Sequence, residues 1–301
     1  MKLKRNIFFK LEILLICLIA FTLQVASQPI KKTCKPDLKL TAYNFGSLGK
    51  LGPIDQVKVL KNAGYKGLIL NSQTKEDSVN LNIFIKELRN DKQFNIHALM
   101  IRYNFNEAVQ VRESWKMWVD KIAGKNIELW VIFGKKMDGI TDDFIESKLR
   151  EIVKYAKTKK VKVILYPHSY CYIASAEEAL PFVKKIHDKN LQLAVHLCHE
   201  IRAGNGARMN AVFENVKPYI GAVTLAGTDS VADFSKPKLM DASTIKPIGQ
   251  GNFNMKNFIE PLRKSKYKGN VGFINFKIEE DPEIYLINSM LEWEKQFLIY
   301  K

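Results

Sequence analysis

From Leu38 onward the chain alternates short apolar runs with longer stretches in which apolar residues recur every three or four positions. The runs are 38–43, 67–70, 95–101, 127–133, 161–166, 191–195, 220–225 and 271–276. Most positions within them are apolar, as expected of strands buried on both faces in a parallel sheet. The stretches between carry helical spacing, clearest at 54–64, 144–158 and 176–188. Pro181 falls inside the last of these and predicts a kink or a late start. Strand followed by helix, eight times over, predicts a (β/α)₈ TIM barrel in one domain over residues 38–298. An open doubly wound sheet is the alternative. The count of eight strands and the lack of a Gly-rich nucleotide turn favour closure.

No Pro-, Gly- or Ser-rich linker divides the chain. The longest irregular stretch, 226–251, follows the seventh run. In a barrel it leaves the end where active sites are built. It carries Asp229, Asp233 and Asp241, each able to reach over a ligand or simply to sit in water.

The first residues follow a different pattern. Lys2, Lys4, Arg5 and Lys10 precede an apolar run from Ile13 to Leu23, and Val25–Ser27 then offers small residues for cleavage before Gln28. Residues 1–27 read as a cleavable signal peptide, placing the mature protein in a periplasm or outside the cell. The run is short for a membrane span of about 20 residues. An uncleaved anchor, or a lipid on Cys17, is a weaker reading, and no stable membrane insertion is expected after cleavage.

Cleavage lowers the formal charge from +16 to about +13. The lysines are spread along the chain with no Arg-rich, aromatic-interleaved cluster. The charge therefore reads as a solvated surface, and no nucleic-acid partner is expected. Oligomeric state is left open. Cys34, Cys171 and Cys198 remain in the mature chain. An oxidising compartment permits a pair, and the odd number leaves at least one thiol free. Cys171 and Cys198 follow adjacent strands, where they could pair, lie buried or supply a soft ligand.

Three of the five histidines lie in two windows, LYPHSYC (165–171) and VHLCHE (195–200). His168 follows strand five, His196 ends strand six and His199 lies just beyond, so all three belong to one rim of the barrel. Imidazoles there can hold one divalent ion, zinc or manganese, or act without metal as acid and base. His97, inside strand three, and His187, near a helix end, read as structural.

The phrases LYPH, HLCH, GQGNFNMKNFIEPL (249–262), KYKGNVGFI (266–274) and the closing DPEIYLINSMLEW (281–293) resemble, in order, the xylose isomerase-like TIM barrels, a family of sugar isomerases and epimerases. The resemblance covers most of the chain after Leu38. It implies a metal held by a Glu ending strand five, an Asp ending strand six, a His on strand seven and a Glu ending strand eight. Tyr166, His196, Thr224 and Asn275 stand there instead, while two further histidines of the pattern are retained as His168 and His199. The family's abasic-site endonuclease branch requires more His and carboxylate ligands than this chain supplies.

The resemblance implies a small carbohydrate as partner, and export points to an unphosphorylated one. The expected activity is proton transfer beside a carbonyl of a sugar, including a keto-sugar, by an isomerase or epimerase. A lyase or hydratase on the same scaffold and a non-catalytic carbohydrate-binding barrel are the alternatives. His168 and His199 are the candidate catalytic groups. His168, His196 and His199 are the candidate metal ligands, and Tyr166, Asn275, Asp229, Tyr43 and Asn71 the candidate sugar contacts.

Overall fold

The computed structural model describes residues 38–229 and 245–299. The proposed signal peptide and Cys34, Asp233 and Asp241 lie outside them. Eight parallel strands form a closed barrel in chain order. They are β1 Leu40–Tyr43, β2 Gly67–Asn71, β3 Asn95–Tyr103, β4 Glu128–Phe133, β5 Val163–Leu165, β6 Leu191–His196, β7 Ile220–Leu225 and β8 Val271–Phe273. Pairing of β1 with β8, Leu40 against Val271 and Ala42 against Phe273, closes the ring. Closure leaves no open edge, which rules out the doubly wound alternative.

The helices that pack around it begin where the local chemistry allows. They include α1 Pro53–Asn62, α2 Lys75–Glu87, α3 Trp115–Ile122, α4 Asp142–Thr158, α5 Ala176–Ile186, α6 Leu197–Arg202, α7 Met209–Val216, α8 Lys256–Lys264 and α9 Pro282–Ile299. Thr74, Thr141 and Ser175 cap α2, α4 and α5 through side-chain oxygens that accept from backbone N–H groups one turn in. Pro181 neither delays nor ends α5, which runs through it from Ala176. No helix among the described residues is long and apolar enough to cross a membrane.

Strand limits depart from the apolar runs in an instructive way. Strands β5 and β8 are three residues each, so Tyr166 and Asn275 sit beyond their ends. Strand β3 instead continues past its apolar run through Arg102 and Tyr103. Apolar residues persist into buried loops, and a basic residue is tolerated at a strand end that opens on a cavity.

The barrel interior is filled by aromatic rings. Trp130 of β4 stacks on Tyr166 at 5.4 Å between centroids and meets Tyr43 and His97 edge-on at 6.1 and 5.7 Å. His97 is half-buried in β3, beside Asn270 and Glu128 and outside the cavity lining. His187 closes α5 in the left-handed conformation, with φ of 51°.

Candidate functional site

His196 is the last residue of β6 and also the cap of α6. Its Nδ1 accepts from the backbone N–H of Cys198 at 3.2 Å. The chain turns from strand to helix at this point, so His199 follows one helical turn later and its ring lies 3.9 Å from that of His196, centroid to centroid. From the neighbouring strand end, His168 brings its ring within 4.2 Å of His199. Ser169 links the two, since its carbonyl accepts from His168 Nδ1 at 2.8 Å while its hydroxyl bonds His199 Nδ1 at 2.9 Å. With Nδ1 carrying the proton, His168 Nε2 holds the lone pair, and it accepts from an Arg102 guanidinium N–H at 3.4 Å.

His168 and His199 open onto a cavity of about 340 Å³. Arg102, Arg202, Asn71, Gln73 and Tyr166 complete its polar lining; Phe45, Met100, Ile245, Ile274 and Phe276 form the apolar part. Phe45 follows β1 and His168 follows β5, on opposite sides of the eight-stranded ring. This combination of an apolar face and a few convergent polar groups suits a small molecule of sugar size.

Burial governs the electrostatics. It holds His196 and His199 well below the ordinary imidazole range, and the neighbouring histidines and Arg202 push the same way. Both rings are therefore neutral at neutral pH. Burial also raises Tyr166 and Tyr43, leaving them as protonated phenols.

Of the expected sugar contacts, Tyr166 and Asn71 line the cavity. Tyr43 is fully buried beneath, its hydroxyl 2.7 Å from that of Tyr166. Asn275 is also fully buried and donates to the Tyr285 hydroxyl at 2.7 Å. Asp229 is used at the base of the 226–251 segment, where it pairs with Lys246 at 2.7 Å and accepts from Asn252 N. Next to it, Gly227 and Lys246 form an antiparallel bridge. None of these three lines the cavity. Arg102, Arg202, Ser169 and Phe45 were not anticipated. Arg102 lay one residue past the apolar run of β3, the only signal that would have found it. Cys171 and Cys198 are free and buried, so the pair held open by the sequence does not form.

Among the described residues, the donors at these positions do not form a carboxylate-bearing site for a divalent metal. At the four positions of the family pattern, Tyr166 bonds Tyr43 and Thr224, Asn275 bonds Tyr285, and no carboxylate stands among them. Buried atoms without a hydrogen-bond partner remain there, His196 Nε2 and Asn275 Oδ1, and both are neutral. The imidazoles of His168 and His196 each lie against that of His199 with ring planes tilted by 47°. Among the described residues no three His, Cys, Asp or Glu side chains are grouped so as to hold a metal ion.

Comparison with known proteins fits this architecture. Residues 71–293 match the family described as xylose isomerase-like TIM barrel, and the chain belongs to that family. No curated protein matches it in sequence. Among solved structures it is similar to the zinc-bound IolI protein, at 15% identity and TM-score 0.66, covering 87% of this chain and 98% of that one. It is similar also to the probable 3-DHS dehydratase AsbF of Bacillus anthracis, at 13% and 0.67 over 84% and 98% of the two chains. A third is the 3-keto-D-glucoside 4-epimerase YcjR of E. coli, at 15% and 0.64 over 86% and 99%. At such identities the likeness is one of fold.

Proposed function

We propose that this chain is an exported carbohydrate-active enzyme of isomerase type. It would move a proton beside a carbonyl of an unphosphorylated sugar, with His199 and His168 as acid–base groups and no metal in the step. The observation that supports this most is the imidazole pair, 4.2 Å between centroids, on one wall of the cavity. Similar structures named as a 3-keto-D-glucoside 4-epimerase and a probable 3-DHS dehydratase support a reading of this kind. The signal-like residues 1–27 support an extracellular or periplasmic substrate.

In the proposed step a histidine nitrogen takes the proton from the carbon next to the carbonyl. The electron pair of that C–H bond moves into a C=C bond and the carbonyl oxygen becomes an enolate. The cationic lining offsets the charge on that oxygen. As it develops, it also raises the proton affinity of the neighbouring imidazole, which burial otherwise keeps low. Because both histidines share one wall, the proton returns on the face it left. Transfer to the adjacent carbon gives the aldose–ketose exchange. Inversion at a single carbon requires a donor on the opposite side, where Phe45 stands, so epimerisation is disfavoured.

The same one-sided pair favours a second reading. Where the next carbon bears a hydroxyl, the enolate reforms its carbonyl and expels that hydroxyl, which leaves as water with the proton from the imidazolium. That is a dehydratase or lyase.

The test is solvent exchange. Free sugars and 3-oxidised glycosides are incubated with the protein in D₂O and followed by NMR, with and without chelator. Deuterium beside the carbonyl, lost in His199→Ala and unaffected by chelation, is the expected result. Sugar binding without exchange or product in any substrate would leave a carbohydrate-binding barrel instead. Exchange that disappears on chelation would restore a metal to the step.

A further inference from the structure

Arg102 occupies an unusual position for a cation. It is half-buried at the end of β3, and its two hydrogen-bond partners carry no negative charge: the Cys171 thiol at 3.4 Å from one terminal nitrogen and His168 Nε2 at 3.4 Å from the other. Arg150 and Arg208, on the protein surface, each sit on a glutamate. Among the described residues, Arg102 has no carboxylate within ion-pair distance, and the cavity it lines includes no Asp or Glu. A charge withdrawn from water needs a counter-charge or strong hydrogen bonds. Two long contacts to a thiol and a neutral imidazole are weak compensation.

We propose that the cavity binds an anionic carbohydrate, a sugar acid whose carboxylate is held by the Arg102 guanidinium beside His168. The inference rests on the reading of this cavity as a sugar site and adds the charge class of the sugar. The planar fork of a guanidinium matches the two oxygens of a carboxylate, an arrangement that an ammonium cannot copy. Asn71 and Gln73, hydrogen-bonded to each other at 2.8 Å on the adjoining strand end, supply neutral polar groups for the hydroxyls. The aromatic face of Phe276 borders the same space and suits the less polar side of a pyranose ring. A bound carboxylate also sits within the cationic surroundings that lower His199, so it would raise the proton affinity of that imidazole.

The experiment is calorimetric titration of the full mature chain with glucuronate, galacturonate, their neutral parent sugars, and the corresponding sugar phosphates and sulfates. The expected result is a uronate bound at least about tenfold more tightly than its neutral parent. Arg102→Gln should weaken the uronate about 10- to 100-fold, the range of a lost charged hydrogen bond, and leave the neutral sugar within about threefold. Arg102→Lys should fall between the two, because the charge stays and the fork is lost. Thermal unfolding of each variant verifies folding. Equal affinity for uronate and neutral sugar in the wild type overturns the proposal, as does an equal loss for both in Arg102→Gln. A sugar phosphate or sulfate that outcompetes the uronate overturns the carboxylate assignment. Binding is read without turnover, so the two conclusions separate. A uronate preference without deuterium exchange sinks the enzyme reading alone. Exchange on neutral sugars with no uronate preference in the wild type sinks only the anion site.

Discussion

The rings of His196 and His199 lie with centroids 3.9 Å apart and planes tilted by 47°, one at a strand end and the other a helical turn further on. Neither ring can be charged cheaply in this position. Burial is the first cause, and each ring lies in the field of the other's neighbours.

The protein should therefore lose stability in acid. In the unfolded chain these histidines take up protons below about 6.5, while the folded state does not until much lower pH. Stability is present above 6.5 and falls as pH drops, by about 1.4 kcal/mol per pH unit for each ring. Urea unfolding between pH 5 and 8 measures this. His196→Asn should lower the slope by about 1.4 kcal/mol per pH unit, and an unchanged slope would place the proton uptake elsewhere.

Glu200 works in the opposite direction. Its carboxyl is buried and raised to about 7, while its oxygens accept from Ala176 N and Asn205 Nδ2 at 2.7 and 2.6 Å. Between 4.5 and 7 the folded state keeps a proton that the unfolded state has released, so this group's contribution falls as pH rises through that window. Combined with the histidines, it places the stability maximum near pH 6.5. Glu200→Gln should remove the decline between 6.5 and 7. It should also cost about 1–3 kcal/mol, because an amide N–H would face another donor. A decline that survives the substitution would assign it to another group.

The phenol of Tyr166 stands in a buried chain, 2.7 Å from Tyr43 and 3.2 Å from the Thr224 hydroxyl. Tyr166→Phe leaves the Tyr43 hydroxyl unsatisfied and should cost about 1–3 kcal/mol in denaturant unfolding. Adding Tyr43→Phe should cost little more, since both partners are then apolar, giving a coupling of about 1 kcal/mol in a double-mutant cycle. Strict additivity would show that the two hydroxyls do not interact.

Asp229→Asn separates clasp from ligand contact. The pair with Lys246 is partly exposed, so its loss should cost less than about 1 kcal/mol. Direct titration with sugar should give an unchanged affinity. A tenfold weaker affinity would mean that the carboxylate reaches the bound molecule.

The barrel was legible in the sequence because strands buried on both faces must be apolar nearly throughout, and eight such runs leave few other folds. The meeting of His168, His196 and His199 was legible for the same reason, as consecutive parallel strands end side by side. Ligation was not. Whether ring nitrogens point at a common spot depends on side-chain torsions, and here the turn into α6 sets the His196 and His199 rings against each other at a 47° tilt. Tyr43 and Asn275 were read as facing the cavity, yet at strand ends a difference of one residue decides between the cavity and the packing beneath it. Arg102 escaped because a charged residue ends the apolar run without ending the strand.

Trp130, stacked beneath Tyr166, gives this site a solid floor. Any molecule that enters meets a ring held from behind, so this boundary of the cavity cannot yield to a larger ligand without disturbing the barrel interior.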